Sequence, residues 1–174
     1  MTKKTGKKIN LIPLFILVGL AIVIYFVFLS DNEAFKFDRA PQVRRLNGFP
    51  AVAFTDRELE KQRLIITSEE ELAEFLNYVD ESGYLIVRED IDFDKELLLG
   101  VSTSTEDTTG HEVKIRKLYE DRDKNELLVS IREVEPGETC EVEFVKNVAV
   151  DLVAIDMTGM NIEFERIKQV QECD

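Results

Sequence analysis

Apolar positions in this chain form one long run near the N-terminus and then short runs or stripes beyond residue 43. Residues 9–29 read INLIPLFILVGLAIVIYFVFL and contain no charged residue. As a helix, residues 11–29 would span about 28 Å, close to the hydrocarbon thickness of a bilayer. The run therefore predicts a transmembrane helix over residues 9–30, which is too long and too uniformly apolar for an ordinary core helix.

The flanks of the run distinguish an anchor from a cleaved signal and set its orientation. The apolar region of a secretory signal covers about 7–15 residues and precedes a small-x-small cleavage site. This run is longer and is followed by SDNEA, so an uncleaved anchor is favoured and cleavage is the alternative. Four lysines lie within residues 1–8, so the positive-inside rule keeps that basic tail cytoplasmic and places residues 31–174 outside the membrane.

The outer part begins without a regular pattern. Residues 31–42 mix polar and apolar positions around a proline, which indicates a tether. Residues 43–54 are broken by Asn-Gly and by proline, so we expect at most one or two short strands there. The β-branched run at residues 63–67 predicts a strand.

One amphipathic helix is predicted next. Thr67 or Ser68 can cap it, with glutamates three residues further on in the capping-box position. Apolar residues at positions 72, 75, 76 and 79 have the i, i+3, i+4, i+7 spacing of a single helix face. The Ser-Gly pair at 82–83 is expected to end this helix, which must pack on another element.

The remaining pattern predicts strands separated by turn residues at intervals of about ten residues. The expected strands cover residues 84–87, 96–103, 112–118, 127–134, 142–144, 148–157 and 162–164. The predicted fold class is therefore α+β: a transmembrane helix followed by one domain, residues 43–174. That domain is expected to be a mainly antiparallel β-sheet or sandwich with a single packed helix.

Charge narrows the choice of partners. Four of the 22 Lys and Arg residues precede residue 31, which leaves 18 against 35 Asp and Glu and gives the outer part a net charge of −17. Such a surface repels phosphates, so we exclude nucleic acid as a partner. The acidic excess favours basic partners in principle, although it often serves solubility alone.

Two cysteines, Cys140 and Cys173, both fall in the outer part, where disulfides can form and persist. One bridge between them is favoured, and closing that loop would stabilise the fold by about 3–4 kcal/mol in the chain-entropy model. Two unpaired thiols are the alternative, because Cys173 lies next to the C-terminus.

No motif predicts a catalytic, cofactor-binding or metal-binding residue. Residues 89–94 alternate acids as a calcium loop does, but Lys95 and Val101 stand where an EF-hand needs glycine and glutamate. His111, the single histidine, has no zinc-ligand spacing and no nucleophile signature around it. Neither a Gly-x-Ser-x-Gly sequence nor a phosphate-binding glycine loop occurs. We therefore expect no cofactor and no enzyme activity.

From residue 64 onward the order of elements resembles the C-terminal domain of PrcB-type protease-complex subunits. The residues that carry the resemblance are Ser68-Glu69-Glu70, Ile91-Asp92-Phe93, Gly110 with Val113 and Ile115, Pro136-Gly137, and Val150 to Ile155. The chain departs from the family pattern at Thr109, His111 and Ala149-Val150. The resemblance implies a non-catalytic module that is anchored or secreted and associates with a cell-surface protease.

Together these observations predict a single-pass, membrane-anchored, extracytoplasmic protein-interaction module. Its partners would be the lipid bilayer, through the N-terminal helix, and a protein of an envelope complex. The alternative is an enzyme or ligand-binding domain whose site is built from dispersed residues. The Ser- and Thr-rich segment 102–111 is the candidate binding loop, because recognition loops are held on rigid sheets. Its candidate residues are Ser104, Thr105, Thr108, Gly110 and His111.

Overall fold

The structure is a computed structural model that describes residues 42–173. The predicted basic tail (1–8), the predicted anchor (9–30) and all but the last residue of the predicted tether (31–42) lie outside this range. Within it the elements are β1 Arg44–Arg45, β2 Val52–Phe54, β3 Arg63–Ile66, α1 Glu69–Val79, β4 Glu96–Ser102, β5 Glu112–Asp121, β6 Glu126–Pro136, β7 Asn147–Asp156 and β8 Asn161–Gln171. No helix in residues 42–173 is long and apolar enough to cross a membrane.

The first sheet is built around β7. This strand pairs with β4 on one side and with the two short strands β1 and β2 on the other, and β3 pairs with the far side of β4. All of these pairings are antiparallel, and the register places Leu99 opposite Val153. Every residue of β7 except Asp156 is buried. This burial explains why residues 148–155 form an almost unbroken apolar run.

The second sheet has the strand order β5-β6-β8. Strands β5 and β6 form an antiparallel hairpin with a register shift between Ile115 and Lys117. Asn125 closes the hairpin turn with φ of 55°, a left-handed conformation that asparagine tolerates. Strand β8 runs parallel to β6, after the chain has crossed the first sheet as β7. Over residues 42–173 the fold is therefore mainly antiparallel and sheet-dominated with one short helix, as predicted for this domain.

The two faces of the first sheet are covered by different layers. On one face, Leu98, Leu152 and Ala154 share an apolar core with the helix residues Phe75 and Val79. The second core lies between the two sheets. Its buried members are Leu97, Leu99, Val101, Val113, Ile115, Leu118, Leu127, Val129, Ile131, Ala149, Val153 and Ile155.

Helix α1 begins as the capping pattern predicts. The Ser68 hydroxyl accepts a hydrogen bond from the Glu71 backbone N–H at 3.2 Å. In return, the Glu71 carboxylate accepts from the Thr67 backbone N–H at 2.6 Å and from its hydroxyl at 3.0 Å. These hydrogen bonds, that of the Thr67 N–H first, lower the pKa of Glu71. The reciprocal pair fixes the point at which the chain leaves β3 and enters the helix.

Phe75 packs against strand β4 at Gly100, a residue that has no side chain. It is almost fully buried, a burial that contributes about 1.5–3 kcal/mol. A Cβ placed on Gly100 of β4 would lie 3.2 Å from the Phe75 ring and 3.1 Å from Ile66 Cδ1. Gly100 therefore makes the space that Phe75 fills.

Two expectations about the segment that follows the helix are wrong. The helix ends at Val79, before the Ser-Gly pair, with Asp80 as its C-cap. Residues 84–87 form no strand, because the Asp80 carboxylate accepts hydrogen bonds from the backbone N–H groups of Ser82, at 3.0 Å, and Leu85, at 2.7 Å. Burial raises the pKa of Asp80, but these bonds and that of the Ser82 hydroxyl outweigh it, so the pKa is lowered. The chain is thus held in a turn that buries Leu85.

The prediction of a further strand over residues 142–144 is also wrong. This stretch is irregular, and the Phe144 side chain is 88% exposed. By contrast, residues 43–54 contain two short strands, at the upper limit expected. The acidic stretch at 89–94 forms no strand, and its Ile91 and Phe93 side chains pack against the helix-side core.

Candidate functional site

The predicted binding loop, residues 102–111, starts at the last residue of β4 and leads to β5, and it is fastened to the domain on two sides. On the first side, the Thr105 hydroxyl donates to the Arg57 carbonyl and accepts from the Leu59 backbone N–H, both at 2.8 Å. The Thr105 backbone N–H also donates to the Leu59 carbonyl at 3.1 Å. Ser104 donates its hydroxyl to Glu106 within the loop at 3.1 Å.

On the second side, the loop is joined to the chain that enters β7. Glu106 forms an isolated bridge with Asn147, whose side-chain amide donates to the carbonyls of Thr108 and Val145 at 2.8 Å. The Glu143 backbone N–H donates to the Thr109 hydroxyl at 3.0 Å. The loop therefore ties together two segments that are far apart in sequence, residues 55–59 and 143–147.

The end of the loop is less exposed than a free recognition loop. The His111 ring lies 3.5 Å from the Thr108 hydroxyl and 3.9 Å from the Glu106 carboxylate. Gly110 has φ of 96°, and an added Cβ would lie 3.2 Å from Pro136. Within this loop Asp107 and Gly110 are the exposed residues. The predicted site residues are thus brought together, but their hydroxyl groups bind within the domain.

An open cleft lies beside the loop. It has a volume of about 460 Å³ and is lined by Phe54, Thr55, Asp56, Arg57, Glu81, Ser82, Val145 and Lys146. The Thr55 backbone N–H donates to the Lys146 carbonyl at 3.2 Å, which holds the two walls together.

Exposed apolar side chains lie on and next to this cleft. The exposed fractions are 63% for Phe54, 41% for Val145 and 88% for Phe144, the residue that precedes Val145. Charges surround these side chains. Lys146 pairs with Glu58, and that hydrogen bond, with the charges of Glu58, Asp107 and Asp56, raises its pKa. The result is an apolar surface with a mostly acidic rim.

A buried cluster of charged groups is centred on Glu133. The carboxylate of Glu133 on β6 binds Lys61 at 2.9 Å, Arg166 at 3.3 Å and Arg63. Burial raises its pKa, but the hydrogen bond from Lys61 and the charges of all three cations outweigh it, so the pKa of Glu133 is lowered. Through these contacts the carboxylate joins β6 to β3, to β8 and to the residue two positions before β3.

The cysteine pair closes the end of the domain. Cys140 and Cys173 form a disulfide with Cα atoms 4.9 Å apart, and it joins the segment after β6 to the chain beyond β8. Beside it, the Thr139 hydroxyl donates to the Cys173 carbonyl at 2.6 Å and accepts from the Cys173 backbone N–H at 3.0 Å. Among residues 42–173, no group of three or more His, Cys, Asp or Glu side chains could hold a metal ion.

No protein-family model, curated protein or solved structure matches this chain. The functional argument therefore depends on the surface itself. Sequence reasoning missed the cleft because its two walls are about 90 positions apart. A signal was nevertheless present: Phe144 lies in the short stretch EVEFVK, residues 141–146, where half of the positions are charged and few apolar neighbours are available to bury it.

Proposed function

We propose that this protein is a membrane-anchored, extracytoplasmic, non-enzymatic protein-interaction module. The N-terminal apolar run with its lysine flank supports the anchor and the orientation. The observation that carries the interaction is the exposure of three apolar side chains: Phe54 and Val145, which line the cleft, and Phe144, which precedes Val145 in the chain.

Aromatic side chains presented on a rigid frame are the usual anchors of protein interfaces, and an acidic rim selects partners by charge. Here β2 and β7 supply the frame, since Phe54 pairs in register with Asn147. The partner would contribute an apolar pocket for Phe144 and basic groups around it. The resemblance to PrcB-type subunits supports an envelope protein, a protease complex among the candidates, as that partner.

The proposal is tested by placing a photo-crosslinking side chain at position 144 in the full chain, in native membranes. We expect a discrete crosslinked protein that disappears when Phe54 is changed to serine. A crosslinker at Tyr119, an exposed aromatic residue on β5, is the matched control and should give no such product. Equal products from both positions, or none from position 144, would contradict the proposal.

A further inference from the structure

Strand β3 leaves one edge of the first sheet open. It pairs with β4 on one side, and no strand within residues 42–173 pairs with its other side. The Ser102 backbone N–H donates to the Gln62 carbonyl at 3.1 Å. Because hydrogen-bonded and non-hydrogen-bonded pairs alternate in an antiparallel ladder, the N–H and C=O groups of Arg63 and Ile65 point away from β4. These groups are available to an additional strand.

An apolar groove runs along this open edge, between β3 and helix α1. Its volume is about 360 Å³, and its lining residues are Gln62, Leu64, Ile65, Ile66, Glu71, Glu74, Phe75 and Tyr78. Leu64 and Ile65 are 37% and 40% exposed, although they belong to a β-strand next to a hydrophobic core. If a strand were laid beside β3, every second side chain of that strand would point into the groove.

The basic residues that would ordinarily guard such an edge are turned away from it. Natural edge strands often carry lysine or other charges that discourage pairing. Arg63 and Lys61 instead bind Glu133 of the second sheet. The remaining residues of β3, Leu64 to Ile66, are apolar and leave the edge unprotected.

Charge indicates what fits there. Glu71 and Glu74 line the groove, and no lysine or arginine does so. The hydrogen bonds from Thr67 and Ser68 lower the pKa of Glu71, so its carboxylate is ionised at neutral pH. A second copy of this chain would bring its own Glu71 and Glu74 to the same edge, where like charges repel. A basic partner is attracted.

We propose that the open edge of β3 and the adjoining groove bind an extended, basic segment of a partner protein by strand addition. Backbone hydrogen bonds to Arg63 and Ile65 would hold the segment in register. Its apolar side chains would pack on Leu64 and Phe75, and its lysine or arginine side chains would meet Glu71 and Glu74. This site differs from the Phe144 surface and does not depend on it.

The test uses the full chain in nanodiscs and a labelled nine-residue peptide in which every second position is valine or lysine in turn, with threonine between them, so that both residue types point into the groove. Fluorescence anisotropy should show saturable binding that weakens as salt is added. Hydrogen exchange should slow at the Arg63 and Ile65 amides when the peptide binds. A matched peptide with glutamate in place of lysine should not bind.

Variants locate the site. Glu74→Lys should weaken peptide binding by about threefold to tenfold, because it reverses a charge at the groove. Glu163→Lys, the same change on β8 outside the groove, should leave binding unchanged, and so should Phe144→Ser. Equal binding of both peptides, or equal loss in Glu74→Lys and Glu163→Lys, would overturn the proposal. The proposal would also be overturned if, without peptide, exchange at the Arg63 and Ile65 amides became slower as the protein concentration increased. A second copy of the chain would then be the occupant.

Discussion

The Arg45 guanidinium and the Asp151 carboxylate connect the two sheets. Arg45 Nη1 lies 2.9 Å and 3.0 Å from the two Asp151 oxygens. The same carboxylate accepts the Ile115 backbone N–H at 2.7 Å, and Arg45 Nη2 donates to the Ile115 carbonyl at 2.5 Å. Asp151 on β7 and Arg45 on β1 therefore satisfy the backbone of β5 next to its register shift.

Asp151→Asn should destabilise the domain by about 1.5–3 kcal/mol, the usual worth of hydrogen bonds to a charged group. The amide keeps the shape of the side chain but cannot accept on both sides at once. We expect the lower end of that range, because the Arg45 side chain is half exposed and solvent screens its charge. Urea unfolding of the full chain in detergent micelles measures the effect. Asp156→Asn, at the exposed end of β7, is the control, and an equal urea midpoint in both variants would contradict the prediction.

The lowered pKa of Glu133 predicts that the domain loses stability in acid. The pKa of Glu133 in the folded state lies below its ordinary value of 4.5. The ionised carboxylate therefore stabilises the fold at pH values above 4.5. This contribution is lost as the pH falls through the lowered folded-state pKa. We expect the free energy of unfolding to decrease as pH drops below about 4.5. Glu133→Gln should be less stable at pH 7 and should show a shallower decrease. Parallel pH profiles of the two proteins would contradict this assignment.

The sequence predicts an element well where its burial can be read locally. Strands β4 and β7 are apolar on both faces because each lies between two layers, and both were predicted nearly to the residue. Helix α1 was predicted because its cap and its apolar stripe are contained within a dozen residues. The segment 84–87 has the same apolar character, but hydrogen bonds that the Asp80 carboxylate accepts from the Ser82 and Leu85 backbone N–H groups decide its conformation.

Long-range pairing is the part that residue patterns do not reveal. The alternation in residues 162–164 indicates a strand, but not that it extends to Gln171 or runs parallel to β6. Likewise, the open edge of β3 lacks a guarding basic side chain because Arg63 reaches Glu133, 70 positions away in sequence. Polar character identified the loop 102–111, whereas its hydrogen bonds to two remote segments depend on the assembled fold.

The disulfide should matter most at the end of β8. Changing Cys140 and Cys173 to serine should lower the stability by about 3–4 kcal/mol, because the unfolded chain regains the entropy of a loop that spans 33 positions. Hydrogen exchange should accelerate most over the last residues of β8, since the bridge holds the segment that follows them. Non-reducing mass spectrometry should recover the linked peptide pair. Two alkylatable thiols in protein prepared without reductant would contradict the pairing.

Gly100→Ala should cost about 1–3 kcal/mol by overpacking. The added methyl group meets the Phe75 ring and Ile66 at distances that force one of them to move. Gly159→Ala is a suitable control, because an added Cβ there meets no atom within 4 Å. Thermal unfolding of both variants measures the difference, and equal melting temperatures would show that the helix shifts without cost.

The predicted orientation makes the outer domain accessible to protease from outside the cell. The lysines within residues 1–8 should stay on the cytoplasmic side, because moving such charges across the bilayer is unfavourable and sets the direction of insertion. Protease added to intact cells should therefore remove an epitope placed at the C-terminus and spare one placed at the N-terminus. Permeabilised cells, in which both epitopes are lost, provide the control. Moving the four lysines to follow residue 30 should weaken or reverse this asymmetry. A C-terminal epitope that survives in intact cells and is lost after permeabilisation would show that the domain faces the cytoplasm, and the proposed extracytoplasmic partner would then be excluded.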